Sequence, residues 1–360
     1  MRVVFTVLDA LPVRHVGDDH TPVLVALARA GGGPPRRARA VMTSATYPNH
    51  ATFATGVAPR DHGIVTNWVP ETGRAVPAWK LGPRVPTVFD AARAAGRSSA
   101  GVFSDQRLVG VMGATAADAH WPPDGVPPPD LRRDAHGYVE DEDTIVELLR
   151  TLDAAPDLVV SQLNAPDTAA HVYGPDSEAA LATYRATDAR LTEIREHLAW
   201  DDTVWILVSD HDQEPVDVRE PIDLRAEFSR RDVDLFALPE GNASVVCGDG
   251  ANAARAWLVD VDGIAGTAPF QVTDRRLECC LVWAAPGRAF GFTGDATELG
   301  THGGPRCRAQ VAVVTGGHPV VAPLAGTVAD RRVTASDWAP TIAELLGLDL
   351  PYATGRSLLS

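Results

Sequence analysis

Short apolar runs rich in β-branched residues alternate with amphipathic segments along most of the 360-residue chain. Three of these runs, 3–8, 158–163 and 203–208, end on polar residues, as strands buried on both faces of a parallel sheet do. The segments between the runs predict helices near 21–30, 47–55, 86–95, 177–198 and 336–346. This alternation predicts an α/β fold whose mostly parallel central sheet is covered by helices on both faces.

The pattern changes between about 216 and 292, where short strand candidates at 243–247 and 279–283 are separated by polar turns. The apolar run 311–315 then returns to the central sheet. We interpret residues 216–292 as an inserted α+β subdomain that forms a cap over the core. Residues 1–215 and 293–360 are then the catalytic core.

The composition is that of a globular protein, with 45% apolar and 22% charged residues. The formal net charge of −15 disfavours binding to nucleic acids or to anionic membrane surfaces. No apolar stretch is long enough to span a bilayer. A small anionic substrate stays compatible with this charge, because metal ions at a site override the distant surface field.

The four cysteines, Cys247, Cys279, Cys280 and Cys307, lack the spacing of a metal site. They are expected to be buried thiols in a reducing compartment. The first apolar run, 3–8, begins directly after Met1 and Arg2. This run is too short to be the apolar region of a signal peptide. The sequence therefore predicts a soluble, cytoplasmic protein.

Six metal-ligand side chains stand near points where apolar runs give way to turns. They are Asp9, Asp167, His171, Asp210, His211 and His302. In open α/β sheets such positions, at the carboxyl ends of strands, form the ligand site. The set can supply two metal sites that flank one hydroxyl nucleophile.

Thr46 is the candidate nucleophile, at the start of a short predicted helix that has Pro48 in its first turn. A threonine hydroxyl needs a base or a metal ion to become reactive. At a helix N-cap it also lies beside free backbone N–H groups that can bind an anion. The alternative is that Thr46 only caps the helix.

The other candidates also have ordinary alternatives. Asp167 and His171 are four residues apart, so one helical turn would bring them to one metal ion, but an exposed Asp–His pair has the same spacing. The pair Asp210–His211 follows an apolar run and could simply end a strand. His302 lies in a glycine-framed loop, where a histidine is commonly structural.

In combination, these residues resemble the alkaline phosphatase superfamily, and most closely its nucleotide pyrophosphatase/phosphodiesterase branch. The matching motifs are Thr-Tyr-Pro-Asn-His (46–50), Pro-Arg-Asp-His-Gly-Ile (59–64), Pro-Asp-Thr-Ala-Ala-His-Val-Tyr-Gly-Pro (166–175), Ser-Asp-His (209–211), Thr-His-Gly (301–303) and Asp-Trp-Ala-Pro-Thr-Ile (337–342). The resemblance implies an alkaline-phosphatase-like three-layer α/β/α fold. Motifs that resemble the family run from Asp9 to the C-terminus, except in the segment 216–292.

The resemblance also implies two divalent metal ions, zinc in the family. One would be held by Asp9, Asp210 and His211 and would bind the Thr46 oxygen. The other would be held by Asp167, His171 and His302. The implied reaction is hydrolysis of a phosphodiester or pyrophosphate bond in a small anionic substrate, through a covalent phosphothreonine.

Two further residues are expected at the substrate. The Asn67 amide would stabilise transition-state charge, although Asn67 could also be an ordinary turn residue. Tyr47 could stack on a base or an aryl group, or could only form a wall of the pocket. Both are therefore candidate substrate-binding residues.

Some features leave the substrate class open. Asp212 stands where the family usually has glycine, and Lys80 is the only lysine of the chain. Apart from Arg60, no lysine or arginine directly adjoins the candidate ligand motifs. Since phosphomonoesters carry more negative charge than diesters, this scarcity of cations beside the motifs favours diesters or pyrophosphates. The alternatives are a phosphonate or phosphomonoester hydrolase on the same scaffold, a metal-dependent phosphomutase and a non-catalytic binder.

Overall fold

The computed structural model describes residues 1–71, 74–217, 219, 221–273, 276–291 and 298–360. The strands in these ranges are β1 (Arg2–Leu8), β2 (Arg36–Arg39), β3 (Trp68–Glu71), β4 (Arg74–Pro77), β5 (Ser99–Phe103), β6 (Ala119–Trp121), β7 (Leu158–Leu163), β8 (Thr203–Val208), β9 (Glu214–Pro215), β10 (Phe236–Glu240), β11 (Ala243–Cys247), β12 (Ile264–Phe270), β13 (Cys279–Ala284), β14 (Gly300–Thr301) and β15 (Ala309–Thr315). The α-helices are α1 (Pro22–Gly31), α2 (Thr46–Thr55), α3 (Pro59–His62), α4 (Ala78–Leu81), α5 (Val88–Ala94), α6 (Leu108–Val111), α7 (Asp141–Asp153), α8 (Ala165–Tyr173), α9 (Glu178–Glu196), α10 (Leu224–Arg230), α11 (Ala251–Leu258), α12 (Val321–Asp330) and α13 (Trp338–Leu346). Within the described ranges, every helix is too short or too polar to cross a membrane.

Seven strands form the central sheet, in the order β2-β15-β8-β1-β7-β5-β6. The run from β8 to β6 is parallel throughout, whereas β15 is antiparallel to both β8 and β2. The predicted α/β fold with a mostly parallel central sheet is therefore confirmed.

Two hydrophobic cores, one on each face of this sheet, make the three layers. Alternate residues of β1 divide between them, as the period of a strand requires. Val3, Phe5 and Val7 pack with residues of α2, α5 and α13. Val4 and Leu8 pack with residues of α1, α7 and α9. Both faces of β1 are buried, which explains why its sequence is a continuous apolar run.

The register of the three central strands brings the predicted ligands together. Strand β1 lies between β7 and β8 and is parallel to both, with Leu8 opposite Leu163 and Val7 opposite Val208. The residues that follow these strands therefore leave the sheet at one edge. They include Asp9, Asp210, His211 and the start of α8.

A second, four-stranded sheet is antiparallel and has the order β10-β11-β13-β12. Its core contains side chains of α10 and α11, among them Phe228 and Leu258. All of these elements lie within 216–292. The predicted boundary between 292 and 293 lies outside the described residues, and the division into core and cap stays a prediction.

The predicted N-cap of α2 is wrong. Thr46 is the first residue of α2, and the extended Ala45 is its N-cap. The Thr46 side chain makes no capping bond and instead contacts His211. The helix therefore begins one residue earlier than the pattern indicates.

The expectation of four thiols is also wrong. Cys247 and Cys279 lie directly opposite each other on β11 and β13 and form a disulfide. Cys280 and Cys307 are buried thiols. Direct cross-strand pairing places the two sulfur atoms together, a relation that spacing in the sequence does not show. The inference of a reducing compartment therefore loses its support.

Helix α1 depends on a carboxylate from another helix, which yields a testable prediction. The Thr21 side chain does not cap α1; instead, the buried Asp188 of α9 accepts the N–H groups of Val23 and Leu24, both at 2.8 Å. Asp188→Ala leaves both donors unpaired, at about 1–3 kcal/mol each. We expect the free energy of unfolding, measured by urea titration with circular dichroism, to fall by about 2–6 kcal/mol.

The matched control is Glu196→Ala, an exposed position on the same helix, where the change should stay within about 0.5 kcal/mol. Equal stability of the two variants would contradict this role of Asp188.

Candidate active site

The candidate nucleophile lies at the positive end of a helix. Thr46 begins α2, whose N-terminal N–H groups are free of helical partners. Its Oγ1 atom is 3.2 Å from His211 Nε2. The structure thus joins residues that are 165 positions apart in the sequence.

Two buried carboxylates surround the same His211 nitrogen. Asp210 Oδ2 lies 3.4 Å and Asp9 Oδ1 lies 3.7 Å from His211 Nε2. The three side chains are fully buried. Burial raises the pKa of Asp9 well above its ordinary value, and the nearby Asp210 and Asp167 raise it further. This arrangement would be costly for two unpaired anions, and a bound cation would relieve the cost.

The second predicted ligand group also assembles. Within α8, Asp167 Oδ1 is 3.4 Å from His171 Nε2, and it is 3.8 Å from His302 Nε2. Burial would raise the pKa of Asp167, but the His171, His302 and His211 rings overcome it and lower the pKa. Burial opposes charge on His171 too, yet Asp167 raises its pKa well above the usual value. Burial, together with the nearby His211 and His171 rings, lowers the pKa of His302.

The two groups touch each other. The rings of His211 and His302 stack with their centroids 4.0 Å apart. Ligand atoms of Asp167, His211 and His302 all lie within 4.8 Å of one another. Asp9 Oδ1 and Asp210 Oδ2 are buried and lack a hydrogen-bond partner among the described residues. Carboxylate and imidazole donors with unsatisfied buried atoms fit divalent metal ions such as zinc.

His50 belongs to this cluster, although the sequence analysis did not single it out. It forms a second donor group with Asp9 and Asp210, also within 4.8 Å. Its Nδ1 atom lies 2.9 Å from Thr46 O, one turn earlier in α2, and 3.5 Å from Asp210 Oδ2. Burial lowers the pKa of His50, so the neutral ring donates from Nδ1. The signal in the sequence was its spacing of four residues from Thr46.

Two glutamines orient the candidate ligands. Gln162 Nε2 donates to Asp9 Oδ2 at 2.8 Å, and Gln213 Nε2 donates to Asp167 Oδ1 at 2.6 Å. Both glutamines are buried. Hydrogen bonds of this kind fix which carboxylate oxygen faces a metal ion. Neither glutamine stands in a recognisable motif, so neither could be identified from the sequence.

His136 and Glu298 lie beside His171. Glu298 Oε2 is 3.2 Å from His171 Nδ1, and Glu298 Oε1 is 3.5 Å from His136 Nε2. His136 lies outside the motifs that predicted the site, so no local pattern marked it. Burial would raise the pKa of Glu298, but the two histidines lower it. A carboxylate on the far nitrogen of His171 leaves Nε2 free for a ligand role.

The loop that carries His302 packs against the rest of the site through glycine. A Cβ atom at Gly300 would collide with the Ala170 carbonyl of α8, and one at Gly303 would collide with the Glu240 carbonyl of β10. Gly303 also has a φ of +108°, which side chains rarely allow. These contacts hold His302 between α8 and the second sheet.

A cavity of about 370 Å³ opens over Thr46. It is lined by Thr46, Tyr47, Asn67, Asp105, His136, Tyr138, Asn164, Asp167, His171, Glu240, Gly241, Glu298 and His302. Among the described residues, no lysine or arginine lines it. The cavity therefore combines the candidate nucleophile and ligands with additional carboxylates.

Asn67 and Tyr47 both lie in this lining, but in different settings. The Asn67 backbone N–H donates to Glu240 Oε2 at 2.6 Å. Tyr47 is only 2% exposed, and its ring makes an edge contact with Trp79 at 6.3 Å. Burial, followed by the charge of Asp105, raises the pKa of Tyr47 well above its ordinary value. A buried, neutral phenol forms a wall better than a stacking platform.

Asp212, the departure from the family pattern, is bound from outside the candidate metal groups. Arg14 Nη1 donates to Asp212 Oδ1 at 2.6 Å, and the Gln213 N–H donates to the same oxygen at 2.7 Å. Asp212 is not among the residues with positive φ in the described part of the chain. Asp212 therefore does not adopt the positive φ that glycine allows, and its carboxylate charge is paired with Arg14.

Comparison with known families adds independent information. Residues 3–257 match the profile of the family described as Type I phosphodiesterase / nucleotide pyrophosphatase. Venom phosphodiesterase 2 of Crotalus adamanteus is 26% identical over 197 residues, which are 49% of this chain and 22% of that protein. Ectonucleotide pyrophosphatase/phosphodiesterase family member 1 of Homo sapiens is 26% identical over 218 residues, 54% of this chain and 21% of that protein. The chain thus spans about a fifth of the length of these relatives.

Solved structures match nearly the whole chain. Murine ectonucleotide pyrophosphatase / phosphodiesterase 5 superposes with a TM-score of 0.71 at 16% identity, covering 99% of this chain and 97% of that one. An inactive threonine-to-alanine variant of that protein, in complex with AMP, gives 0.70. Phosphonoacetate hydrolase from Sinorhizobium meliloti 1021, in complex with phosphonoacetate, gives 0.72 at 18% identity, with 96% of each chain covered.

The structural matches establish the fold, and the profile establishes the relationship, because it covers well over half of the chain. The motifs around Thr46, Asp167 and Asp210 lie inside the matched range. The chain belongs to the type I phosphodiesterase / nucleotide pyrophosphatase family of the alkaline phosphatase superfamily.

Proposed function

We propose that the chain hydrolyses phosphodiester or pyrophosphate bonds through a covalent phosphothreonine at Thr46. The observation that supports this most directly is the position of Thr46 Oγ1, at the start of α2 and 3.2 Å from His211 Nε2. A hydroxyl among buried metal-type ligands, open to a cavity, suits nucleophilic attack on phosphorus better than helix capping.

Two divalent metal ions, in our proposal zinc, would be held by two groups of residues. Asp9, Asp210 and His211 would hold one beside Thr46, because the two carboxylates lie within 3.7 Å of the His211 Nε2 atom that contacts the Thr46 hydroxyl. Asp167, His171 and His302 would hold the other. When bound, the ions supply positive charge that lowers the pKa of the nucleophile and of water and offsets charge on the phosphoryl oxygens.

The residues of the chain then act in two steps. The Thr46 oxygen attacks phosphorus, so that its bond to phosphorus forms while the bond to the leaving oxygen breaks, and the leaving group departs with a proton. Water next attacks the phosphothreonine, breaks its bond to Thr46 and releases the phosphoryl product. Thr46 regains its proton. With His211 engaged as a ligand, its Nε2 atom does not serve as a base.

Stabilisation of transition-state charge falls to hydrogen-bond donors near Thr46. We assign this role to the Asn67 amide and to the N-terminal N–H groups of α2. The bond from the Asn67 N–H to Glu240 fixes the position of this residue beside the cavity. Tyr47 would contribute a wall rather than a stacking surface, since its ring is buried.

The cavity lining favours diesters or pyrophosphates over monoesters. A dianionic monoester needs additional cationic groups, and no lysine or arginine among the described residues lines the cavity. The second candidate is a phosphonate or phosphomonoester hydrolase. It is favoured by one observation, the near-complete overlap with phosphonoacetate hydrolase, which concerns the fold alone.

A comparison of three aryl substrates separates these candidates. With zinc added, we expect kcat/KM for bis-p-nitrophenyl phosphate to exceed that for p-nitrophenyl phosphate, and EDTA to abolish both activities. The physical reason is the shortage of cationic groups for the second negative charge. A preference for the monoester, or for p-nitrophenyl phenylphosphonate over the diester, would move the chain to the second candidate.

Removal of the nucleophile tests the covalent step. Thr46→Ala should lower kcat by about 10⁴-fold or more, while Thr46→Ser, which keeps a hydroxyl, should retain measurable turnover. Acid quenching of the wild type during turnover should trap a phosphoryl group on Thr46, detectable by mass spectrometry. Thr183→Ala, a half-buried threonine on α9 outside the cavity, is the control. Turnover by Thr46→Ala would disprove the covalent step.

Metal analysis tests the assignment of ligands. After dialysis against a low concentration of free zinc, the wild type should retain two metal ions per chain, measured by plasma mass spectrometry. His302→Ala should retain one, because it removes a ligand from the Asp167 group only. His197→Ala, outside the cavity, should retain two. Two ions in the His302→Ala variant would contradict the grouping.

A further inference from the structure

Arg14 is a charged residue that lies outside the cavity of the candidate active site. It belongs to the short 3₁₀ turn Val13–His15, which follows β1. Neither Arg14 nor its hydrogen-bond partners Asp176, Asp212 and Gln213 line the cavity. The Arg14 guanidinium can therefore influence the chemistry only through the residues that it holds in place.

This guanidinium joins segments that are far apart in the sequence. Arg14 Nη1 donates to Asp212 Oδ1 at 2.6 Å and to the Gln213 carbonyl at 3.1 Å. Arg14 Nε donates to Asp176 Oδ1 at 2.8 Å. Asp176 lies just beyond the end of α8, whereas Asp212 and Gln213 directly follow the candidate ligand His211. Because a guanidinium presents its N–H groups in a rigid fork, these bonds fix the spacing between the segments.

Asp212 connects Arg14 to the first ligand group. The Asp212 carbonyl lies 3.2 Å from His211 Nδ1, where it accepts the N–H of the ring and leaves Nε2 free for a metal ion. Arg14 holds the side chain of Asp212, and the Cys307 carbonyl accepts its backbone N–H at 2.9 Å. The orientation of the His211 ring therefore depends on how firmly Asp212 is held.

Gln213 connects Arg14 to the second ligand group. Its side-chain amide donates to Asp167 Oδ1 at 2.6 Å, and its carbonyl accepts the bond from Arg14. The Gln213 N–H also donates to Asp212 Oδ1 at 2.7 Å, so both residues share the contact with Arg14. The residue that orients Asp167 is thus fixed to the same guanidinium as the residue that orients His211.

We propose that Arg14 is a positioning residue that holds one ligand of each metal group, His211 through Asp212 and Asp167 through Gln213. The inference rests on the proposed function, because it requires both groups to bind metal ions. Without Arg14, the Asp212 carboxylate, which is 13% exposed, would lose its cation. A poorly hydrated carboxylate would then turn towards solvent or towards a metal ion, and either movement would displace the residues on both sides of it.

Zinc affinity tests this role separately from catalysis. Arg14→Gln removes the charge and the fork, so we expect the Kd values of both zinc ions, measured by competition with a chelating dye, to rise about 10–100-fold. With zinc at saturation, kcat for bis-p-nitrophenyl phosphate should fall while KM stays unchanged, because Arg14 is absent from the cavity lining.

Arg190→Gln is the matched control. Arg190 is 36% exposed, against 37% for Arg14, and its Nη1 atom lies 2.8 Å from Glu193 Oε1 on the same helix. Loss of this ion pair should leave both zinc Kd values and kcat as in the wild type. Wild-type Kd values in Arg14→Gln, or an increase in only one of them, would overturn the role of Arg14. A wild type that binds fewer than two zinc ions would instead contradict the proposed function.

Asp212→Asn separates the two connections, and it keeps the test decisive if Arg14→Gln does not fold. Asparagine retains an acceptor for the Gln213 N–H but loses the charge that Arg14 binds. We expect the Kd of one zinc ion to rise and that of the other to stay unchanged, because Arg14 still binds the Gln213 carbonyl. Two wild-type Kd values in Asp212→Asn would overturn the connection through Asp212.

Discussion

The site depends on the burial of three carboxylates, Asp9, Asp167 and Asp210, close to one another at the edge of the central sheet. Each of them loses hydration on folding, which is expensive unless a cation or hydrogen-bond donors replace the water. The protein supplies part of the replacement. Histidines flank Asp167, glutamines donate to Asp9 and Asp167, and backbone N–H groups of Ala10 and His211 donate to Asp210. Asp9 Oδ1 and Asp210 Oδ2 have no hydrogen-bond donor among the described residues. A metal ion beside these two oxygens would stabilise their charge most.

The parallel sheet is what makes this clustering possible. Strands β7, β1 and β8 are adjacent, so three carboxyl ends meet although the residues that contact one another there are 46 to 200 positions apart. Asp141 strengthens this edge by accepting the N–H groups of Asn164 and Ala165 at the start of α8. Burial raises the pKa of Asp141 to about 6. The start of the helix that carries Asp167 and His171 is thereby fixed to the first residue of α7.

Six strands (β1, β7, β8, β11, β13 and β15), five helices (α1, α2, α5, α9 and α13) and the residues of the motifs could be predicted, because each depends on a local pattern. The central runs had to be strands, since they are apolar on both faces, and their last residues had to meet. Residues that act through long-range contacts could not be found this way. Gln162, Gln213 and Glu298 carry no local signal, and the pairing of Cys247 with Cys279 depends on the register of two strands. His50 was hidden for a different reason: its position in α2 was visible, but its partner Asp210 was not.

The contact between the second sheet and the His302 loop has a consequence for how this site can vary. Glu240 contributes its side chain to the cavity and its carbonyl to the surface against which Gly303 packs. Arg306 and Asn242, which both bind Glu214, extend the same contact. A change in the backbone of β10 would therefore move His302 as well as the cavity wall. A side-chain substitution at 240 that leaves the backbone unchanged would alter the cavity wall and keep the carbonyl against which Gly303 packs. The shape of this wall can therefore vary while the position of His302 is preserved.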